Sequence, residues 1–229
     1  MFPINDTEPN RYDRLALTTL TLIIVNVLAF MVESAGLLTR YQPYIFPLFG
    51  STPALVLSQQ GGGGLSAVTS MFLHGSILHL VTNMWALWVF GRRVEDVCGP
   101  FRFLFFYLVC GLLADLLSTL IRPDPGIPSI GASGAIFGVM GAYLMLFPDG
   151  RIRTLIILWI IPAFPKLRAA WVILYFLALQ LIPAANSALS GTHSTTNNWA
   201  HLGGFLGCLS IFFFMRPDAF ARFRNREVI

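Results

Sequence analysis

Two short polar motifs open long apolar stretches of this chain: Gly131-Ala132-Ser133-Gly134 and Ala200-His201-Leu202-Gly203-Gly204. A serine hydroxyl is a weak nucleophile until a base takes its proton, and imidazole, titrating near neutrality, is the usual base. Ionisable and nucleophilic groups are costly in hydrocarbon, so a serine and a histidine in such stretches mark a functional site. If the two meet, they make a hydrolase that works inside a membrane. Each motif also has a packing explanation. Gly131, Gly134, Gly138 and Gly141 suit close helix contact, as do Gly203 and Gly207, and a histidine can be satisfied by a cross-helix hydrogen bond. The two explanations of the glycines are compatible, because a nucleophile has to be approached closely by another helix.

A third polar group lies in His74-Gly75-Ser76-Ile77-Leu78-His79-Leu80-Val81-Thr82-Asn83. His79 and Asn83 stand four apart, on one helix face and one turn from each other. Acyl transfer builds negative charge on the carbonyl oxygen, and donors placed in advance for that charge are usually the largest catalytic term. An imidazole N–H and an amide N–H are such donors. Ser133 sits where a helix begins, among unpaired backbone N–H groups at the positive end of the dipole. A polar knot that orders helix packing is the other reading of His79 and Asn83.

These residues need elements that hold them at one depth. The 229 residues are 55% hydrophobic and 11% charged, against about 25% charged in soluble domains, so the chain reads as an integral membrane protein. Apolar runs of about 17–25 residues are candidate spans. They fall at Leu15–Val32, Ile77–Gly91, Phe101–Leu120, Gly131–Phe147, Ala169–Ala185 and Trp199–Met215. Leu155–Phe164, closed by Pro162 and Pro165, is too short to cross and is expected in the interface or against the bundle. The first apolar run is followed by others and is expected to be retained rather than cleaved. The connection Glu33–Leu73 is long enough to be functional or disordered.

Six spans put both termini on one side. Arg11, Arg14, Arg92, Arg93, Arg102, Arg151, Arg153, Lys166, Arg168, Arg216, Arg222, Arg224 and Arg226 then share the cytoplasmic side, leaving Arg40 and Arg122 outside. That asymmetry follows the positive-inside rule, so the net charge of +4 reads as topology and not as nucleic-acid binding. It also places Ser133, His201, His79 and Asn83 together in the outer half of the membrane. Cys98, Cys110 and Cys208 lack CxxC spacing, and those within apolar runs are expected as free, buried thiols.

From Ser70 to Met215 the chain resembles the rhomboid family of intramembrane serine proteases. The residues that carry the resemblance are His74, His79-Leu80-x-x-Asn83-Met84, Leu87-Trp88-x-Phe90-Gly91-x-x-Val94-Glu95, Gly131-x-Ser133-Gly134 and Ala200-His201-x-x-Gly204. The resemblance implies an all-α polytopic six-helix bundle with a long first loop, whose fourth helix begins at the bottom of a water-filled cavity opening outward. It makes Ser133 the nucleophile, His201 the general base, and His79 and Asn83 the oxyanion donors, with His74 supporting the loop. Phe137 matches the aromatic on which the base stacks, a Tyr in many members. Gly131, Gly134 and Gly204 belong to the same motifs.

The family uses a dyad without a carboxylate. Two roles stand open for Asp115, orienting His201 or bonding within the bundle, and Asn198 is expected to hold polar groups or water near the site. The family's Trp-Arg pair in the first loop is replaced here by Leu65-Ser66, and the small residue four after Gly204 is Cys208.

The resulting expectation is a short cytoplasmic tail over 1–14, a protease domain over 15–215 and a basic cytoplasmic tail over 216–229. The enzyme would be an endopeptidase without metal or cofactor. It would cleave single-span membrane proteins near their outer boundary through an acyl-enzyme, in a bacterial inner (plasma) membrane. Asn186–Trp199 would cap the site, and span five, with Pro183, would be a lateral gate. The alternative is a catalytically silent relative that binds membrane clients. A transporter is disfavoured by the lack of internal repeats and paired intramembrane charges.

Overall fold

In a computed structural model, residues 1–9, 15–35, 42–60, 62–121, 125–159, 161–190 and 197–215 are described. Helix α1 (Leu17–Ser34) begins without a side-chain cap of its own. The fully buried Glu95 supplies one, since its carboxylate accepts from the amides of Thr18 and Thr19 and from the Thr19 hydroxyl, each at 2.7 Å. Those amides are among the first N–H groups of α1, which have no partner within the helix.

The long connection after α1 is folded. It forms α2 (Gln42–Phe49), α3 (Pro53–Leu57) and α4 (Leu65–Thr69), the last continued by a 3-10 turn over Ser70–Phe72. Pro53 lies in the first turn of α3, where its missing N–H costs nothing. Backbone hydrogen bonds tie this connection to the segment before Ser133: Ser51 and Ser129 exchange a pair, Ala54 N–H donates to Pro125, and Gly131 N–H donates to Ser70 at 2.8 Å. The floor of the serine motif is therefore built from the first loop.

Ser76 caps α5 (Ile77–Ala86) by accepting from the His79 amide at 3.1 Å. A π-helical turn at Leu87–Gly91 leads into α6 (Arg92–Cys98), which stops at Gly99 with φ +84°. Helix α7 (Pro100–Ile121) follows, and then α8 (Ser133–Leu146), in which every residue from Gly134 to Tyr143 is buried. Tyr107, Phe103 and Phe106 from α7, Tyr143 from α8, and Leu87 and Phe90 fill the centre of the core. Helix α9 (Ala169–Ser190) buries Val172, Ile173 and Ala184 while exposing Trp171, Leu181 and Ile182, as a peripheral helix does. Helix α10 (Asn198–Met215) packs on α7 and α8.

A small sheet modifies the expected all-helical architecture. Strand β1 (Phe2–Asp6) pairs antiparallel with β2 (Arg151–Leu158), with Asp6 opposite Ile152. β2 also pairs with β3 (Ile161–Ala163) and β4 (Lys166–Arg168). The sheet lies beyond the C-terminal end of α8, opposite Ser133. The segment around Leu155–Phe164 thus becomes strand because its run of Ile suits a pleat and its prolines exclude helix. Residues 2–6 are a strand and not a free tail. Asp6 is buried, ion-paired with Arg93 and bonded by the Tyr143 hydroxyl at 2.8 Å.

Among the described residues, Leu17–Ser34, Pro100–Ile121 and Ala169–Asn186 are long and apolar enough to cross a membrane. A fourth candidate is the pair Leu65–Phe72 and Ile77–Cys98, bent by 96°. The fourth expected span starts later than Gly131 and ends at Leu146. Its 14 residues reach about 21 Å, and the helix is enclosed by its neighbours. The sixfold count needs α8 and α10 in addition. Cys98, Cys110 and Cys208 are buried.

Candidate active site

The close approach of α8 to its neighbours is written in small residues. A Cβ built on Gly204 would stand 1.8 Å from the Gly134 carbonyl oxygen, and one on Gly134 would stand 2.6 Å from the Ala114 Cβ. Further along, Gly138 sits against Cys110 and Gly141 against Cys208. Helix α10 lies on α7 through Gly203 and Gly207, which face Leu113, Ala114 and Leu117. Larger residues at these points would hold the helices apart.

Ser133 and His201 lie in the first turns of α8 and α10, so this packing brings them together. His201 Nε2 is 2.6 Å from Ser133 Oγ. The Phe137 ring, one turn along α8, stacks on the imidazole at 4.7 Å with 15° between planes. The other ring nitrogen, Nδ1, is 2.7 Å from the Gln180 side-chain oxygen on α9. His201 is buried, so aromatic stacking and two hydrogen bonds fix its ring in all three directions.

Asn197 sets the height of α10. Its Oδ1 accepts from the Ala200 amide at 3.2 Å, and its Nδ2 donates to the hydroxyls of Ser118 and Ser129 at 2.7 Å. One side chain thus joins the start of α10 to α7 and to the segment before α8. Asn198, the residue expected to act nearby, is buried at the first position of α10.

On the other side of Ser133, the backbone at Gly131 has φ +113°, a region that L side chains rarely adopt. A Cβ there would stand 2.8 Å from the His79 imidazole and 3.7 Å from Asn83 Nδ2. The absence of a side chain leaves room for His79 and Asn83 to reach the serine motif. Asn83 is buried, and its Nδ2 has no hydrogen-bond partner among the described residues. His74 is fully buried, its ring edge-on to His79 at 5.0 Å, and its amide donates to Glu33 Oε2 at 3.2 Å.

Ser133, His201, His79, Asn83, Gly131 and Gln180 line one cavity of about 740 Å³, which reaches Pro3 of β1. Asp115 also lines it, but His201 Nδ1 is bonded to Gln180 and not to that carboxylate. Of the expected cap over Asn186–Trp199, the first five residues continue α9 and 191–196 lie outside the described residues.

The geometry brings together every site residue singled out from the sequence, with His74 one ring behind His79 and Asn198 at the edge. Sequence reasoning missed Gln180, Asn197 and Glu33, and it named Glu95 in a motif without its role at the start of α1. Gln180 did carry a signal, as the one amide within the apolar run Ala169–Ala185. The arrangement can deprotonate a serine hydroxyl, hold a carbonyl oxygen between the His79 and Asn83 donors, and place both at the positive end of α8.

The profile described as the Rhomboid domain matches residues 62–218. The chain is 34% identical over 169 residues to RHOMBOID-like protein 6, mitochondrial, of Arabidopsis thaliana, covering 72% of this chain and 49% of that protein. Over 144 residues it is 36% identical to Rhomboid protein 1, mitochondrial, of Saccharomyces cerevisiae, covering 61% and 38%. Over 134 residues it is 35% identical to Rhomboid protease GluP of Bacillus subtilis, covering 58% and 25%. The chain therefore spans about half or less of the length of these relatives. With the domain match extending from the first loop through α10, and with its motifs converging on one cavity, the chain belongs to the rhomboid family.

Proposed function

We propose that this protein is an intramembrane serine endopeptidase that hydrolyses peptide bonds of single-span membrane proteins near the outer membrane boundary. The observation that carries the reading is the 2.6 Å contact between His201 Nε2 and Ser133 Oγ. Nε2 takes the hydroxyl proton as Oγ attacks the carbonyl carbon. The oxygen of the tetrahedral intermediate accepts hydrogen bonds from His79 and Asn83. Collapse expels the amine, which takes the proton from His201, and leaves an acyl-enzyme on Ser133. A water molecule, deprotonated by His201, then releases the acyl group.

The cavity supports such chemistry in a bilayer, because polar groups and irregular backbone are tolerated at membrane depth where they line a cavity. In the proposed topology six helices cross a bacterial inner membrane, α8 and α10 among them. Both termini and the sheet face the cytoplasm, and the cavity opens outward. Presence of both Ser133 and His201 favours this reading over a catalytically silent relative.

The test is cleavage of a labelled single-span substrate in liposomes by the wild type, Ser133→Ala and His201→Ala, with fluorophosphonate labelling alongside. Cleavage and labelling by the wild type alone are expected. Full hydrolysis by Ser133→Ala would overturn the assignment, and a folded wild type that neither cleaves nor labels would favour client binding.

A further inference from the structure

A base that activates serine must present a lone pair at Nε2, so its hydrogen has to sit on Nδ1. In isolation neutral imidazole carries that hydrogen on either nitrogen. The structure supplies a group that selects between them. The Gln180 oxygen lies 2.7 Å from Nδ1, and a carbonyl oxygen only accepts hydrogen bonds. Nδ1 must then donate, which leaves Nε2 as the acceptor for the Ser133 hydroxyl at 2.6 Å. Phe137 stacks on the ring face and leaves both nitrogens free to make these bonds.

We infer that Gln180 is a positioning residue, an uncharged third member of the catalytic set that fixes the tautomer and orientation of His201. This inference rests on the serine protease reading of the same site. It assigns to α9 a chemical part in catalysis. Gln180 sits in the middle of α9, three residues before Pro183 within the same helix, and α9 is peripheral, with one face exposed. Any outward movement of α9 that admits a substrate carries the acceptor away from Nδ1. The base is then fully oriented only while α9 is seated against α10, so admission of a substrate and activation of the serine are separate events.

The amide differs from a carboxylate in a measurable way. A carboxylate facing Nδ1 stabilises the imidazolium, so the base stays protonated to higher pH, whereas an amide orients the ring and adds no charge. His79 and Asp115 share the cavity with His201 and are the same in every variant below, so a change in pH profile reports position 180.

The experiment is the rate of fluorophosphonate labelling of Ser133 across pH for the wild type, Gln180→Met and Gln180→Glu, with thermal unfolding of each. Gln180→Met keeps the length of the side chain but has no such acceptor. It is expected to label about 10- to 100-fold more slowly, in the maximal rate and not in reagent affinity, with unfolding close to wild type. Gln180→Glu restores an acceptor and is expected to label at high pH within a few-fold of wild type, with its acidic limb moved to higher pH.

Labelling of a folded Gln180→Met at the wild-type rate would overturn the inference. If Gln180→Met does not fold, an unmoved acidic limb in Gln180→Glu does the same. Failure of the wild type itself to label would instead remove the protease reading on which the inference rests. The ratio of variant to wild type thus tests Gln180, and the wild-type rate tests the enzyme.

Discussion

Asn83 holds a buried amide whose Nδ2 meets no partner among the described residues. That donor faces the cavity beside the serine motif, where the proposed reaction places a carbonyl oxygen that becomes negative in the transition state. Asn83→Ala is therefore expected to lower turnover by about 10²–10³-fold while leaving the thermal unfolding temperature unchanged or raised. A large loss of stability without loss of turnover would make Asn83 a packing residue. The residue types of the site were legible because serine, histidine and asparagine stand out in apolar sequence. The partner of each was not, since Gln180 meets His201 only through the packing of α9, and Asn197 gathers three segments that are distant along the chain.

At the scale of the helix, the distance between Ser133 and His201 depends on how closely α8 and α10 approach. Gly204 faces the Gly134 carbonyl so closely that any Cβ requires movement. Gly204→Ala is expected to separate the two helices, abolish fluorophosphonate labelling of Ser133 and lower stability by about 1–3 kcal/mol. Retention of labelling at the wild-type rate would show that the backbone has slack there. Glu95 allows a different test, because it lies away from the cavity and serves three donors at the start of α1. Glu95→Gln keeps the shape but turns an amide N–H2 group, itself a donor, toward some of those donors. It is expected to cost about 1–3 kcal/mol, read as a lower unfolding temperature, with labelling at low temperature unaffected. The small-residue spacing in α8 and α10 was visible in the sequence, although the same glycines suited packing or catalysis equally, and the structure shows them in the helix contacts that bring His201 to Ser133. The strands were not visible. Leu155–Phe164 is a continuous apolar run, whose periodicity does not separate strand from buried helix. The partner of β1 lies near residue 153, far along the chain.

For the whole molecule, the sheet and Ser133 mark opposite ends of α8. The sheet carries Arg151, Arg153, Lys166 and Arg168, and the helix end below it carries Arg92 and Arg93. The proposed topology turns this basic end to the cytoplasm, so the cavity and the first loop face outward. Two exposed positions separate these faces. Asp149 lies in the turn between α8 and β2, and Gly64 lies beside α4, where a Cβ meets nothing within 4 Å. The three native cysteines are buried and give little background. In intact cells a membrane-impermeant maleimide is expected to label Gly64→Cys and to spare Asp149→Cys, which reacts only after the membrane is opened. The reverse pattern would place the cavity on the cytoplasmic side and restrict substrates to those presented there. Labelling of both positions in intact cells would be incompatible with a bundle that separates the sheet from the first loop. The side on which Ser133 opens decides which membrane proteins can reach it, so orientation sets substrate choice before any contact in the cavity does.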